Sequence, residues 1–151
     1  MKSLFTLFLS SLIFFSCEDS EILTESEVPD VRYGTSFGHC IGYCLTDLEV
    51  SADRLYYVNY GWENSEVPKA KTSAFQEEAY GQLLSLVNEE EFLALEPVIG
   101  CPDCADGGAE WIEMKIGNRT KKVTFEYGSD IEEIAEIVKE LRILTEALSK
   151  D

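Results

Sequence analysis

Four of the five cysteines in this 151-residue chain stand in two short pairs, Cys40 with Cys44 as Cys-x-x-x-Cys and Cys101 with Cys104 as Cys-Pro-Asp-Cys. Thiols so spaced can do three kinds of chemistry. They can close disulfides, and four cysteines allow three pairings that spacing alone does not choose between. Local pairs would close tiny loops and constrain the unfolded chain little. Cross pairs would close loops of about 60 residues, nominally about 4 kcal/mol of unfolded-state entropy. They can converge as four thiolates on a tetrahedral Zn²⁺, with His39 able to replace one, although the Cys40/Cys44 spacing is wider than usual for such knuckles. They can also exchange thiols for disulfides, for which Cys101-Pro102-Asp103-Cys104 has the right spacing. Its context disfavours that reading, because Asp106-Gly107-Gly108 and a strand follow it where a helix N-terminus would lower the thiol pKa. Asp103 and Asp106 would further oppose a thiolate. Disulfides are the favoured state of all four, and no cofactor is expected.

Other chemistry has less to work with. A single histidine, His39, rules out assembling a Ser-His-Asp set from several candidates, and nothing singles out a working carboxylate pair among 29 acidic residues. Asp103, Asp106 and Glu110 could hold Ca²⁺ in a glycine-rich loop, but without EF-hand spacing, and turns built on Asp side chains are the commoner outcome. The formal charge of -17 repels phosphate backbones, so no nucleic-acid partner is expected.

The fifth cysteine is set apart by its position. Met1-Lys2 is followed by an apolar stretch from Leu4 to Phe15, too short to span a bilayer and suited to a signal-peptide core. Phe14-Phe15-Ser16-Cys17 then resembles the lipobox of bacterial lipoproteins, with Phe14 where Leu is usual. That resemblance implies cleavage before Cys17 and lipid on Cys17, and two or more acyl chains make such an anchor stable. Glu18, Asp19 and Glu21 resemble the acidic export signal of Bacteroidota lipoproteins, which implies the outer face of the outer membrane, with the periplasmic leaflet as the alternative. The organisation read from the sequence is a signal peptide over 1–16, a lipidated acidic tether over 17–29 and one domain over 30–151. Export also places the four remaining cysteines where disulfides persist.

The domain must position these loops with short elements. Val31 to Phe37 can be extended, Leu45–Val50 alternates, Ser51 to Arg54 turns, and Leu55–Tyr60 completes a hairpin. Residues 64–72, with Pro68, read as a loop. Ser73 with Gln76 forms a capping-box pattern before a helix whose apolar face uses Phe75, Ala79, Leu83, Leu86 and Val87. Asn88 with Glu91 suggests a second cap, ahead of a short turn stopped by Pro97. Ala109–Ile116 and 120–127 alternate around Gly117-Asn118 as a second hairpin. Ser129 with Glu132 repeats the capping pattern before a helix striped by Ile131, Ile134, Val138, Leu141 and Leu148, with Arg142 on the polar side. The fold class is α+β: a small antiparallel sheet (strands, helix, two strands, helix) with two helices packed on one face.

Cys40-Ile41-Gly42-Tyr43-Cys44, followed by the alternating strand and Tyr56 or Tyr57, resembles a family of uncharacterised exported domains with a Cys-x-Gly-x-Cys motif before a hairpin. Leu45 replaces the proline often seen there. The resemblance implies no activity. The element order is also similar to that of small emfourin-type metalloprotease inhibitors. These observations together point to a lipid-anchored, non-enzymatic binding or accessory domain of the cell envelope, with an unknown protein or small-molecule partner and the membrane as its anchor. A thiol-based metal or redox domain and a protease inhibitor are the alternatives.

Overall fold

Side chains of alternating polarity create a sheet with one dry face, and the helices follow from the need to cover it. The computed structural model describes residues 31–150; the expected signal peptide over 1–16 and the expected lipidated tether over 17–29, Cys17 included, lie outside the described residues. The strands are β1 Val31–Ser36, β2 Leu45–Val50, β3 Arg54–Tyr60, β4 Lys69–Ala74, β5 Val98–Ile99, β6 Ala109–Ile116 and β7 Arg119–Glu126. The helices are α1 Glu77–Leu84, α2 Glu89–Ala94 and α3 Ala135–Lys150. The seven strands form one sheet in the order β4-β3-β2-β1-β6-β7-β5. Every neighbouring pair is antiparallel except β5 with β7.

The core lies between one sheet face and the helices. Val31, Tyr33, Leu48, Val50, Ile112, Val123 and Phe125 are buried on the sheet side, and Leu83, Phe92, Ile137, Val138 and Leu141 on the helix side. Each such side chain contributes roughly 1.5–3 kcal/mol of transfer free energy. The opposite face carries charges around Trp111. The Arg32 guanidinium meets Asp47 at 2.7 Å, Glu49 at 3.5 Å and Glu113 at 3.5 Å, and Lys122 Nζ sits 3.7 Å from the Trp111 ring centroid. Gly34 makes room for that indole, because a Cβ there would collide with the Trp111 ring and with the Thr46 carbonyl oxygen.

The α+β class holds, but the sheet is larger than the sequence suggests and three helices cover it. The expected loop over 64–72 ends in a strand: β4 pairs with β3 from Asn59↔Lys69 to Arg54↔Ala74. Lys-Ala-Lys-Thr-Ser-Ala has no apolar alternation because β4 is an exposed edge, and edge lysines after Pro68 suit that position. Ser73 therefore lies in a strand and caps no helix; α1 begins after Gln76, without a side-chain cap. Tyr80 and Leu83 are its buried residues, while Leu86 is exposed. Asn88 does cap α2, accepting from the Glu90 and Glu91 N–H groups at 3.0 and 3.3 Å. Ser129 caps nothing either, since a single 3₁₀ turn over Glu132–Ile134, entered at Ile131, leads into α3.

Replacing Gly34 with Ala tests the close approach of Trp111 and β2 to β1. Overpacking of this kind costs about 1–3 kcal/mol. A lower urea midpoint with an unchanged slope is expected, and an unchanged midpoint would contradict the packing described here.

Candidate functional site

Strand register, not the cysteines, assembles the most polar ground on the helix side of the sheet. Glu110 on β6 stands opposite Thr35 on β1, Thr35 opposite Thr46 on β2, Thr46 opposite Asn59 on β3, and Asn59 opposite Lys69 on β4. These five residues form one row across five strands. It runs beside the core row of Ile112, Tyr33, Leu48 and Tyr57, at the end of the sheet where the apolar pattern gives out.

Glu110 anchors the row. It is fully buried, and its carboxylate is satisfied from four directions. Arg142 on α3 donates through Nε to Oε1 at 2.8 Å and through Nη2 to Oε2 at 2.7 Å. The Gly128 N–H donates to Oε2 at 2.7 Å, and the Tyr33 hydroxyl donates to Oε1. Arg142 also donates to the Ser129 carbonyl at 2.9 Å and reaches Asp130 at 3.4 Å. Burial pushes the Glu110 carboxyl up, but the bonds from Arg142, Tyr33 and Gly128 outweigh it and hold it below the ordinary carboxylate value. Hydrogen bonding to Glu110 holds the Arg142 guanidinium charged against its own desolvation, and burial together with the Glu110 bond pushes the Tyr33 phenol far up. All three protonation states are thus fixed at neutral pH. Bidentate geometry makes this a strong pair, and breaking it from one side would strand a buried charge.

Above the row lies a cavity of about 510 Å³, with Tyr33, Thr35, Thr46, Tyr57, Phe37 and Tyr127 among its walls and Glu110 with Arg142 at one end. A second cavity of about 600 Å³ adjoins it over Asn59, Lys69 and Lys71; Tyr57 and Ser149 line both. Thr35 and Thr46 share one hydroxyl bond of 2.7 Å, and Thr46 Oγ1 also accepts the Thr35 N–H at 3.2 Å. The Asn59 Oδ1 is buried without a hydrogen-bond partner. Phe37 and Tyr127 pack edge to face at 4.9 Å.

The sequence-predicted residues fall at one margin of this site. Cys40 and Cys44 lie within bonding distance of each other, as do Cys101 and Cys104, with Cα separations of 5.6 and 5.5 Å. The pairing is local in both loops, and cross-bridging does not occur. Each sulfur is bonded to its loop neighbour, so the four do not converge as thiolates. Among the described residues no cluster of three or more His, Cys, Asp or Glu side chains could hold a metal ion. The three candidate Ca²⁺ ligands part company: Asp103 Oδ1 accepts the Gly38 N–H at 3.2 Å, Asp106 pairs with the exposed His39, and Glu110 turns to Arg142. Those contacts dock the second cysteine loop on the first. Cys17 lies outside the described residues.

Sequence reasoning missed Arg142, which the helical period assigned to the solvent side, and missed the row itself. A signal for it exists. Glu110, Thr35, Thr46 and Asn59 all occupy the apolar parity of their strands, in step with Ile112, Tyr33, Leu48 and Tyr57. No protein-family model matches the chain, and no curated protein matches it.

Glu110 also sets an acid dependence. Its depressed native pKa contributes stability that is complete above the ordinary carboxylate value of 4.5 and is lost as pH falls through the native value. Urea unfolding of Glu110→Gln at about pH 7 should show a loss on the order of 1.5–3 kcal/mol, shrinking as the pH falls below the ordinary carboxylate value and the wild type gives up its carboxylate contribution. A variant as stable as the wild type at neutral pH would contradict the paired-charge geometry.

Proposed function

We propose that the chain is a lipid-anchored protein of the cell envelope that binds a partner in the cavity over the polar row, and that it is not an enzyme. The observation that carries this reading is the charge state of the cavity. Its buried carboxylate and its guanidinium, Glu110 and Arg142, are held charged by each other, with Glu110 below its ordinary pKa and Arg142 above its own, away from what a proton-transfer group needs near neutrality. What is left to meet a ligand is a set of hydroxyl groups, the Asn59 side chain and the Lys69, Lys71 and Glu146 side chains beside aromatic rings, which suits recognition in a preformed pocket.

Export is supported by the pairing of all four domain cysteines, since disulfides persist in oxidising compartments. The anchor rests on Cys17, its apolar leader and the acids that follow it. Among the described residues no helix is long and apolar enough to cross a membrane, so attachment in this reading runs through Cys17. The acidic tether favours the outer face of the outer membrane, as in Bacteroidota lipoproteins, over the periplasmic leaflet.

Fractionation of cells making the full chain tests the proposal. The wild type should sediment with membranes and incorporate labelled palmitate, whereas Cys17→Ala should move to the soluble fraction without label. Alkylation without reductant should leave the four domain cysteines unmodified. Membrane retention of Cys17→Ala would overturn the lipid anchor, and four alkylated thiols would overturn export to an oxidising compartment.

A further inference from the structure

The two disulfides differ in their surroundings. Cys44 is 2% exposed and is tied into the sheet: its N–H donates to the Tyr60 carbonyl and its own carbonyl accepts the Phe37 N–H, each at 3.1 Å. Cys101 and Cys104 are both exposed, and no residue of the 3₁₀ turn Cys104–Asp106 is buried. A cavity of about 230 Å³ has these two cysteines among its walls, together with Gly107, Gly108, Glu126 and Tyr127. The first pair is sheltered by the sheet, whereas the second is open to an approaching thiol. Exposed disulfides are the labile ones.

The backbone around the second pair is held against its preference. Asp103, Ala105 and Asp106 have φ of 60°, 52° and 61°, in the left-handed region; among the described residues Glu63 alone shares that region without being glycine. Aspartate tolerates such a φ, but alanine has no side-chain bond to offset it. The conformation persists where the surroundings over-determine it. Here they are polar contacts. The Asp103 N–H donates to the Gly108 carbonyl at 2.9 Å, the Cys101 N–H to Glu126 Oε1 at 2.8 Å, and the Gly38 N–H to Asp103 Oδ1 at 3.2 Å, while Asp106 pairs with His39. The Cys101–Cys104 bond closes this set, and without it the loop can relax away from Gly38 and His39. The same loop abuts the wall of the larger cavity. A Cβ on Gly108 would stand 2.5 Å from the Phe37 ring, and the Gly108 carbonyl accepts the Tyr127 N–H at 3.2 Å.

We infer that the Cys101–Cys104 disulfide is a reducible lock, opened by the dithiol of an oxidoreductase, and that opening it undocks the second cysteine loop from the first and loosens the Phe37–Tyr127 wall. One thiolate of the dithiol attacks Sγ of Cys101 or Cys104. The S–S bond breaks, a mixed disulfide forms, and the other cysteine sulfur leaves with the electron pair and takes up a proton. The second thiol of the dithiol then gives up its proton and attacks the mixed disulfide, releasing the remaining cysteine as a thiol. Two electrons have passed to the pair, and the reductant ends as a disulfide. Asp103, Asp106 and Glu126 oppose a thiolate on the released sulfurs, so the pair is the one attacked and is not an attacking catalyst. This site is separate from the lipid anchor and does not depend on what the cavity binds.

The full chain, purified oxidised in detergent, can be exposed to dithiothreitol and, separately, to thioredoxin kept reduced by its reductase and NADPH, then alkylated and mapped by mass spectrometry. With either reductant, Cys101 and Cys104 should become alkylated on the order of tenfold faster than Cys40 and Cys44. Selective reduction should speed amide hydrogen exchange at Gly38 and Cys101 while Ile112 and Leu141 keep their protection. The double variant Cys101→Ser with Cys104→Ser should show the same exchange pattern with wild-type circular dichroism. Ala105→Gly, which relieves the left-handed backbone, should raise the dithiothreitol concentration for half-reduction about threefold. Equal rates for the two pairs, earlier opening of Cys40–Cys44, or unchanged Gly38 exchange after reduction and in the double variant would overturn the inference. Ready reduction by dithiothreitol with resistance to thioredoxin would refute a protein dithiol as the reductant, and a midpoint unmoved by Ala105→Gly would refute the part given to the backbone.

Discussion

A carboxylate removed from water destabilises a fold by several kcal/mol unless its lone pairs are met by donors held in place. Glu110 imposes that requirement on this domain, and three parts of the chain meet it with four hydrogen bonds. β1 supplies the Tyr33 hydroxyl, the turn after β7 supplies the Gly128 N–H, and α3 supplies both arms of Arg142. The single carboxylate therefore joins the centre of the sheet to the helix that covers it. Apolar packing above Ile112 and Leu141 would hold α3 on the sheet in any rotation that buries its stripe. The bidentate contact selects one of them, and with it the height at which the last turn of α3 passes over the polar row.

That placement explains why a cavity exists where the core might have continued. Moving along β1 from Tyr33 to Thr35, or along β3 from Tyr57 to Asn59, replaces a large buried ring by a small polar group. The helices cannot close over such a surface without stranding hydroxyls and an amide. The two disulfide-bonded loops border the same end of the sheet: Phe37 leads into the first, and Tyr127 lines both the cavity and the pocket beside Cys101 and Cys104. Short-range disulfides contribute on the order of 2 kcal/mol each in the loop-entropy treatment. Their structural effect is to fix the shape of loops that have few apolar contacts of their own.

The strands with a two-sided environment were legible in the sequence. β1, β2, β3, β6 and β7 each alternate because one face meets helices and the other meets charges, and α3 has a full apolar stripe. β4 and β5 were not legible. β4 is held by its ladder to β3 and buries almost nothing, and β5 has two residues. The capping-box patterns at Ser73 and Ser129 misled for a related reason. Four local residues carry no information about a sheet edge that claims the first segment, or about an arginine that claims the Ser129 carbonyl. The candidate site was half legible: polar residues on apolar parity are visible at Glu110, Thr35, Thr46 and Asn59, but cross-strand register is needed to line them up. The cysteines announced themselves by type, yet spacing left their pairing open, and the pairs turn out to be local.

The central claim is that a buried, ionised Glu110 organises the sheet, α3 and the cavity. A carbon-detected NMR titration of the Glu110 side-chain carboxyl in the folded protein addresses it without mutation. The carboxyl signal should move with a pKa below the ordinary value of 4.5, because bonds from Arg142, Tyr33 and Gly128 outweigh its burial. A pKa at or above that value would mean that burial wins and the carboxyl is unpaired, contradicting the arrangement on which the fold and its cavity depend.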